Sequence, residues 1–457
     1  IKRNEDKGVL CTMRRYMRLK KHLTSFQIII MGFAGVILAG AFLLMLPFSS
    51  TSGKITPFFD ALFTSTSAVC VTGLVVVDSG SYWTMFGQAV ILLLIQIGGL
   101  GVITIAVAFA MLSGKKISLM QRSVMQSAIS APQVGGIVRL TRFILGGTFL
   151  IEITGAVAMM PSFCSRYGMR GIWMAVFHSI SAFCNAGFDI LGTKTHQFAS
   201  LTGYSGNGVI NITIMLLIII GGIGFLTWED IYLNRFQWKR YRLQSKLILC
   251  TTAFLIVVPA VFFYFEDFRG LTGMHGVWNA LFQSVTTRTA GYNTADLAAM
   301  SGASQALMII LMLIGGAPGS TAGGMKTTTF AVMIANAAAT FRRRDQIQVF
   351  HRRLKDEVVR NASTIAGMYI ALFFCGAFAI SVIEHLPLSA CLFETASAVG
   401  TVGLTLGVTP GLGVVSKGIL IILMYFGRVG GLTLIYAAVP EKSRYIARYP
   451  EEKVNVG

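Results

Sequence analysis

One short segment occurs four times in this chain, and it limits the possible folds more than any other feature. FTSTSAVCVTGL (63–74), FHSISAFCNAGF (177–188), FQSVTTRTAGY (282–292) and FETASAVGTVGL (393–404) each open on Phe and run through small and hydroxylated residues. Each stops at a glycine followed by an apolar residue: Gly73, Gly187, Gly291 and Gly403, spaced by 114, 104 and 112 residues. Recurrence at a near-constant period sets architecture before local propensity does. Four matched segments point to four like units around a pseudo-fourfold axis. In a membrane, such a ring can line a selective ion path.

A membrane setting follows from composition. Of 457 residues, 54% are hydrophobic and 12% charged, about half the charge usual in soluble domains. Uncharged runs such as 23–53, 79–114 and 195–228 exceed the roughly 20 residues that a spanning helix needs. The first is too long for the apolar region of a signal peptide. The formal charge is +19, and 29 of the 38 Lys and Arg fall in five places: the N-terminal tail, 115–142, 235–246, 342–360 and the C-terminal tail. The positive-inside rule puts both tails and all three linkers in the cytoplasm of a cell-membrane protein. Every basic cluster, including RRRDQ at 342–346, flanks an apolar span, which argues against a nucleic-acid partner. The seven cysteines are odd in number and form no CxxC pair, so neither a disulfide framework nor a zinc site is expected.

Between the linkers one order recurs: long span, short half-span ending in Gly, long span. Expected segments are about 25–46, 58–71 and 82–112; 140–160, 172–184 and 208–227; 246–265, 276–286 and 303–340; and 362–383, 388–399 and 416–438. The half-spans are too short to cross a bilayer and read as re-entrant pore helices. The expected fold is an all-α polytopic membrane protein. It has four parallel membrane–pore–membrane repeats around a central ion pore, with eight transmembrane helices and four re-entrant helices. Its divisions are a basic tail (1–24), repeats at 25–114, 115–235, 236–342 and 343–440, and a C-terminal tail (441–457).

A dehydrated cation needs oxygen ligands, and consecutive backbone carbonyls supply them where glycine permits unusual dihedrals. The candidate strips are Val69, Cys70, Val71, Thr72 and Gly73; Cys184, Asn185, Ala186 and Gly187; Thr287, Arg288, Thr289, Ala290 and Gly291; and Gly400, Thr401, Val402 and Gly403. They hold no Asp or Glu, which favours a monovalent cation on carbonyls over a carboxylate ring for calcium. Asp60 and Glu394, near the starts of two half-spans, suit the positive end of a helix dipole.

A second feature is GGAPGSTAGGMKTTT (315–329). Gly315, Gly316, Ala317, Pro318, Gly319, Ser320, Thr321, Ala322, Gly323 and Gly324 cannot sustain a helix, so the 303–340 span breaks at mid-membrane. It is not a P-loop, because Gly319 is not followed by Gly-Lys-Thr at the required spacing. Three basic residues fall at membrane depth, where charge is a functional hypothesis by default. Arg288 sits in the third strip and is expected to brace it through carboxylates or carbonyls. Lys326 ends the glycine-rich loop, at the pore or snorkelling to the cytoplasmic edge. Arg428 lies in the last span. The motifs IGGLG (97–101), IGGIG (220–224), IGGAPG (314–319) and GRVGG (427–431) read first as close packing and second as hinges. His178 and His275 are isolated and read as packing residues.

This pattern, from about residue 25 to 440, resembles the Ktr/Trk/HKT superfamily of cation transporters, and among its members the KtrB-type subunits. TrkH-type relatives usually carry further N-terminal spans, and none is read ahead of residue 25. The resemblance implies potassium, since glycine at each strip position favours K+ there while a Ser in the first is associated with Na+. It implies that 315–326 is an intramembrane gating loop and that Arg428 projects toward the pore as a barrier to cations. The implied partners are a homodimer mate and a cytosolic ring of nucleotide-binding RCK subunits responding to ATP and ADP. No cofactor is implied in this chain, and Na+ dependence is left open. Two departures matter: TVGYG is absent, and the third segment is one residue shorter between Phe and Gly. A sodium-selective relative is the nearest rival. An ion-coupled symporter would want inverted repeats and acids within the spans, where Glu152 is the one candidate. A membrane enzyme would want a cluster of Asp, His or Glu, and none is visible.

Overall fold

The computed structural model describes residues 24–112, 119–129, 135–235 and 237–438. The expectations for the two tails fall outside the described residues apart from Thr24.

The first quarter opens with α1 (Ser25–Met45), started by a capping box of Thr24 and Gln27. The short α2 (Phe58–Val69) follows, then α3 (Met85–Leu100) and α4 (Val102–Leu112). After α5 (Leu119–Ile129) the order returns: α6 (Ile137–Tyr167), α7 (Arg170–Phe183), α8 (Gly208–Gly222) and α9 (Phe225–Asn234). The third quarter has α10 (Leu243–Phe263, continued by a π turn to Phe268), α11 (His275–Thr286), α12 (Gly302–Leu313) and α13 (Thr327–Phe341). A small hairpin, β1 (Gln348–Val349) and β2 (Arg352–Arg353), precedes α14 (Asp356–Glu384), α15 (Leu388–Gly400), α16 (Val414–Val429) and α17 (Gly431–Ala438).

Four helical stretches are long and apolar enough to cross a membrane singly: Ser25–Met45, Ile137–Tyr167, Leu243–Phe268 and Asp356–Glu384. The pairs α3–α4 and α8–α9 qualify together. Their outward faces carry exposed apolar side chains such as Phe42, Leu150, Val258 and Val382, as lipid contact requires. The second spans expected at 82–112 and 208–227 are bent, these pairs turning by 98° and 97°. The bends fall at Gly101 and Gly224, with φ of 88° and 89°, and Gly430 (φ 86°) likewise separates α16 from α17 within the expected 416–438 span. Side chains rarely adopt that conformation, so glycine permits the corner. The linker read at 115–142 is also shorter than expected, since α6 begins at Ile137 and takes in Arg139 and Arg142.

The four short helices form the centre. Phe63, Phe177, Phe282 and Phe393, the opening residues of the repeated segments, are all fully buried. Hydroxyls fix three of these helices to their preceding spans. Ser65 donates to the Ile37 carbonyl (2.7 Å), Ser179 to Glu152 (2.6 Å) and Ser284 to Ile256 (2.7 Å). Within the membrane such bonds matter because no water competes for the groups.

Candidate ion path and gate

Each short helix ends in one of the four strips, and each strip turns the same way. The residue two before the glycine has positive φ in all four: Val71 (58°), Asn185 (59°), Thr289 (65°) and Thr401 (51°). The glycines follow at 90°, 69°, 82° and 94°. For β-branched residues this conformation is strained by roughly 1–3 kcal/mol each and persists only where surroundings dictate it. Hydroxylated residues at matched positions supply that constraint, first through their backbone carbonyls. Thr72, Ala186 and Val402 donate through backbone N–H to Ser67, Ser181 and Ser397 carbonyls, each at 2.8 Å. The third strip, one residue shorter, closes the same turn from Ala290 to Thr286 at 3.0 Å. Ser67 and Ser397 hydroxyls accept from Gly73 and Gly403 N–H at 3.0 Å. Ser181 and Thr286 hydroxyls instead donate to the Phe188 and Tyr292 carbonyls.

The strips meet in a closed ring. A Cβ built on Gly73 would lie 2.5 Å from the Ala186 carbonyl oxygen, and one on Gly187 2.6 Å from that of Ala290. On Gly291 it would run into the Val402 carbonyl, and on Gly403 into that of Thr72. Each glycine thus faces the next strip, and the fourth returns to the first. The second helices press on the same ring: Gly98, Gly221 and Gly427 abut the Val69, Phe183 and Val399 carbonyls so closely that no Cβ would fit. The packing reading of these motifs therefore stands for three of the four, and one turn further on the same chain turns a corner at Gly101, Gly224 and Gly430. In the third quarter the helix stops altogether.

There the chain from Gly315 to Lys326 forms a loop knitted to its surroundings. Ala317 N–H donates to Gly222 O (2.9 Å), Thr321 N–H to Gly221 O (3.2 Å), and Phe225 N–H to Gly319 O (2.8 Å). Gly324 N–H donates to Gly427 O (3.1 Å), and Gly315 N–H closes the loop on Met325 O (2.7 Å). Irregular backbone at this depth is tolerated because its polar groups are paired. Gly323 and Gly324 lie against Thr401 and Gly400 of the fourth strip. From the other side Gly319 meets the last carbonyl of α5, Ile129. A cavity of about 270 Å³ beneath the loop is lined by Ser320, Lys326, Thr329, Tyr369 and Arg428 among others.

The guanidinium of Arg428 donates to Thr321 O in the loop and to Gly98 O and Gly99 O (3.0 Å for the last) at the end of α3. It bridges three quarters of the chain. Lys326 does not reach for an edge: its ammonium turns back to Ala322 O (2.8 Å) and Gly323 O (3.4 Å), because buried carbonyls are its nearest acceptors. Arg288, buried, donates to the Thr252 hydroxyl at 3.2 Å and not to the carboxylate or carbonyl expected. Asp60 does sit in the first turn of α2, paired with Lys417 at 2.9 Å. Glu394 is mid-helix in α15, away from the dipole's positive end. It accepts from Thr405 (2.5 Å) and Thr409 (2.6 Å) hydroxyls and Leu406 N–H (3.2 Å), clasping the chain that leaves the fourth strip. That clasp, like the strained residue ahead of each glycine, had no sequence signal beyond Thr and Glu within the right segment. His178 stacks on Phe163, in line with a packing role. Among the described residues no group of His, Cys, Asp or Glu could hold a metal ion, and the six described cysteines are free.

The family model described as TrkH, cation transport protein, matches residues 9–266 and 246–446. The chain belongs to the TrkH family. It is therefore a multi-pass membrane protein of a transport family, not an enzyme. The potassium/sodium uptake protein NtpJ of Enterococcus hirae is 40% identical over 96% of this chain and 99% of its own length. The Ktr system potassium uptake protein B of Bacillus subtilis is 39% identical over 94% and 96%. The KtrB-type resemblance read from the segments is thus supported along nearly the whole chain. The crystal structure of the potassium transporter TrkH from Vibrio parahaemolyticus shares this family's fold with a TM-score of 0.71 at 22% identity, covering 91% of this chain and 84% of that one.

Proposed function

We propose that the chain takes up K+ across the cell membrane through a channel-like path whose filter is the ring of four glycine strips. The observation that carries this reading is the ring itself: four glycines, each against the next strip's carbonyl, closing on the first. In this reading the chain has four parallel membrane–pore–membrane repeats, divided as read from the sequence, with eight spans and four re-entrant helices. Carbonyls of the strips replace the ion's water, and the C-terminal ends of α2, α7, α11 and α15 add partial negative charge. The 315–326 loop lies across the path on the inner side as the gate, tied by Arg428, whose fixed charge opposes cation passage. The family and the Ktr and NtpJ relatives support cation uptake, and glycine in all four strips favours K+ over the sodium-selective alternative. In the same reading the chain forms a homodimer with cytoplasmic termini and is regulated by a cytosolic RCK ring that binds ATP or ADP, as the resemblance to KtrB-type subunits implies. Three relatives are named as parts of a Ktr system, and the basic stretches at 342–344 and 352–355 offer a contact surface.

The test is K+ uptake in a bacterial strain lacking its own K+ transport, comparing wild type with Gly291→Ser at matched membrane amounts. Uptake by the wild type, with weakened K+ affinity or added Na+ uptake in the variant, supports the filter. No flux from the wild type with its regulatory partner supplied, or an indistinguishable variant, overturns it and favours the symporter.

A further inference from the structure

Glu152 is an acid in the middle of α6, 4% exposed, and its Oε1 has no hydrogen-bond partner. Its place has counterparts elsewhere in the fold. Ser179 bonds the Glu152 carbonyl as Ser65 bonds that of Ile37 and Ser284 that of Ile256. The matching positions in the first and third repeats are isoleucines, so packing at this level needs no carboxylate. Gln96 is a second exception. It stands two residues before Gly98, where the positions before Gly221 and Gly427 hold Ile219 and Tyr425. These two exceptions touch: Gln96 Nε2 donates to Glu152 Oε2 at 3.2 Å. On its other side Gln96 Oε1 accepts from the Cys184 thiol at 3.5 Å, and Gly99 leaves room for that sulfur. Cys184 heads the second strip.

An acid at membrane depth is costly and is kept where it serves function. The geometry gives it one. A side-chain amide can turn over, exchanging its oxygen for its nitrogen. An acceptor oxygen at residue 152 holds Gln96 with its nitrogen on that side, and therefore with its oxygen toward the thiol on the other. We propose that Glu152, acting through Gln96, is a positioning residue that holds Cys184 and thereby sets ion discrimination at the second strip. This rests on the filter reading above.

The experiment measures K+ and Na+ uptake, with KM and Vmax, in the K+-transport-deficient strain at matched membrane amounts. The variants are Glu152→Ile and Gln96→Ile, each the residue a matching position carries, Glu152→Gln, which keeps an acceptor oxygen, and Gly187→Ser as a filter control. Both isoleucine variants are expected to raise KM for K+ and shift the Na+/K+ uptake ratio by about fivefold, the scale of one net hydrogen bond, with Vmax nearly unchanged. Glu152→Gln is expected to restore the wild-type ratio. If Gly187→Ser alters the ratio and both isoleucine variants do not, this inference fails while the filter stands. A Glu152→Gln variant as impaired as Glu152→Ile also overturns it. If Gly187→Ser is silent too, the filter reading falls and this inference with it. Should Glu152→Ile not reach the membrane, Gln96→Ile carries the same test.

Discussion

Replacing Arg428 by Gln tests the tie between the glycine-rich loop and the rest of the molecule. The guanidinium donates to three carbonyls, of which only that of Thr321 belongs to the loop; Gly98 and Gly99 belong to α3. A hydrogen bond from a charged donor contributes about 1.5–3 kcal/mol. Losing the Thr321 bond therefore shifts the loop's displacement equilibrium by a factor of roughly 10 to 150. A loop displaced about 1% of the time would then be displaced for about one-tenth to three-fifths of it. The neutral variant also removes a fixed charge from the path, which acts in the same direction. The assay is K+ tracer flux into proteoliposomes holding equal amounts of wild type, Arg428→Gln and Arg428→Lys, without a cytosolic partner. Arg428→Gln is expected to conduct at least tenfold faster. Lysine keeps the charge but lacks the fork that spans both sets of carbonyls, so Arg428→Lys is expected to lie nearer Gln than Arg. Equal flux in Arg428→Gln and wild type, with thermal stability retained, refutes the role of Arg428. A fast Gln variant beside a wild-type-like Lys variant refutes the tether and leaves only the charge barrier.

Gly403→Ala places a Cβ at φ 94° against the Thr72 carbonyl and should lower stability by about 1–3 kcal/mol; Gly302→Ala, with open space around its Cβ, serves as the unchanged control in thermal unfolding. Glu394→Ala leaves the Thr405, Thr409 and Leu406 donors without their acceptor, at about 1–3 kcal/mol for each that stays buried and unpaired, and Glu394→Gln should lose less in the same melt. The Asp60–Lys417 pair, joining α2 to α16, should give a coupling of about 1 kcal/mol in a double-mutant cycle, shrinking as salt is raised.

Much of the helical framework was legible because the membrane simplifies the code. A chain with no water to satisfy its backbone must form helices there, so long apolar stretches read directly as α1, α6, α10 and α14. The matched segments likewise gave α2, α7, α11 and α15, since each begins with the same buried Phe and ends at glycine. The corners at Gly101, Gly224 and Gly430 were not legible as corners. A glycine in an apolar run serves packing and bending equally, and only the carbonyl it faces distinguishes the two uses. Glu394 misled for a related reason: distance along a helix does not reveal which loop folds back onto it.

The sequence by itself determined a membrane-embedded helical protein of four like segments with a break at 315–326, because periodicity, hydropathy and glycine content are properties of the chain alone. Only the tertiary structure decided that the four glycines face one another in a closed ring and that Arg428 joins loop to helix. It also decided that a thiol, an amide and an acid line up behind the second strip. Those are contacts between residues about 50 to 330 positions apart. They depend on how helices pack around an axis, and no local pattern encodes that.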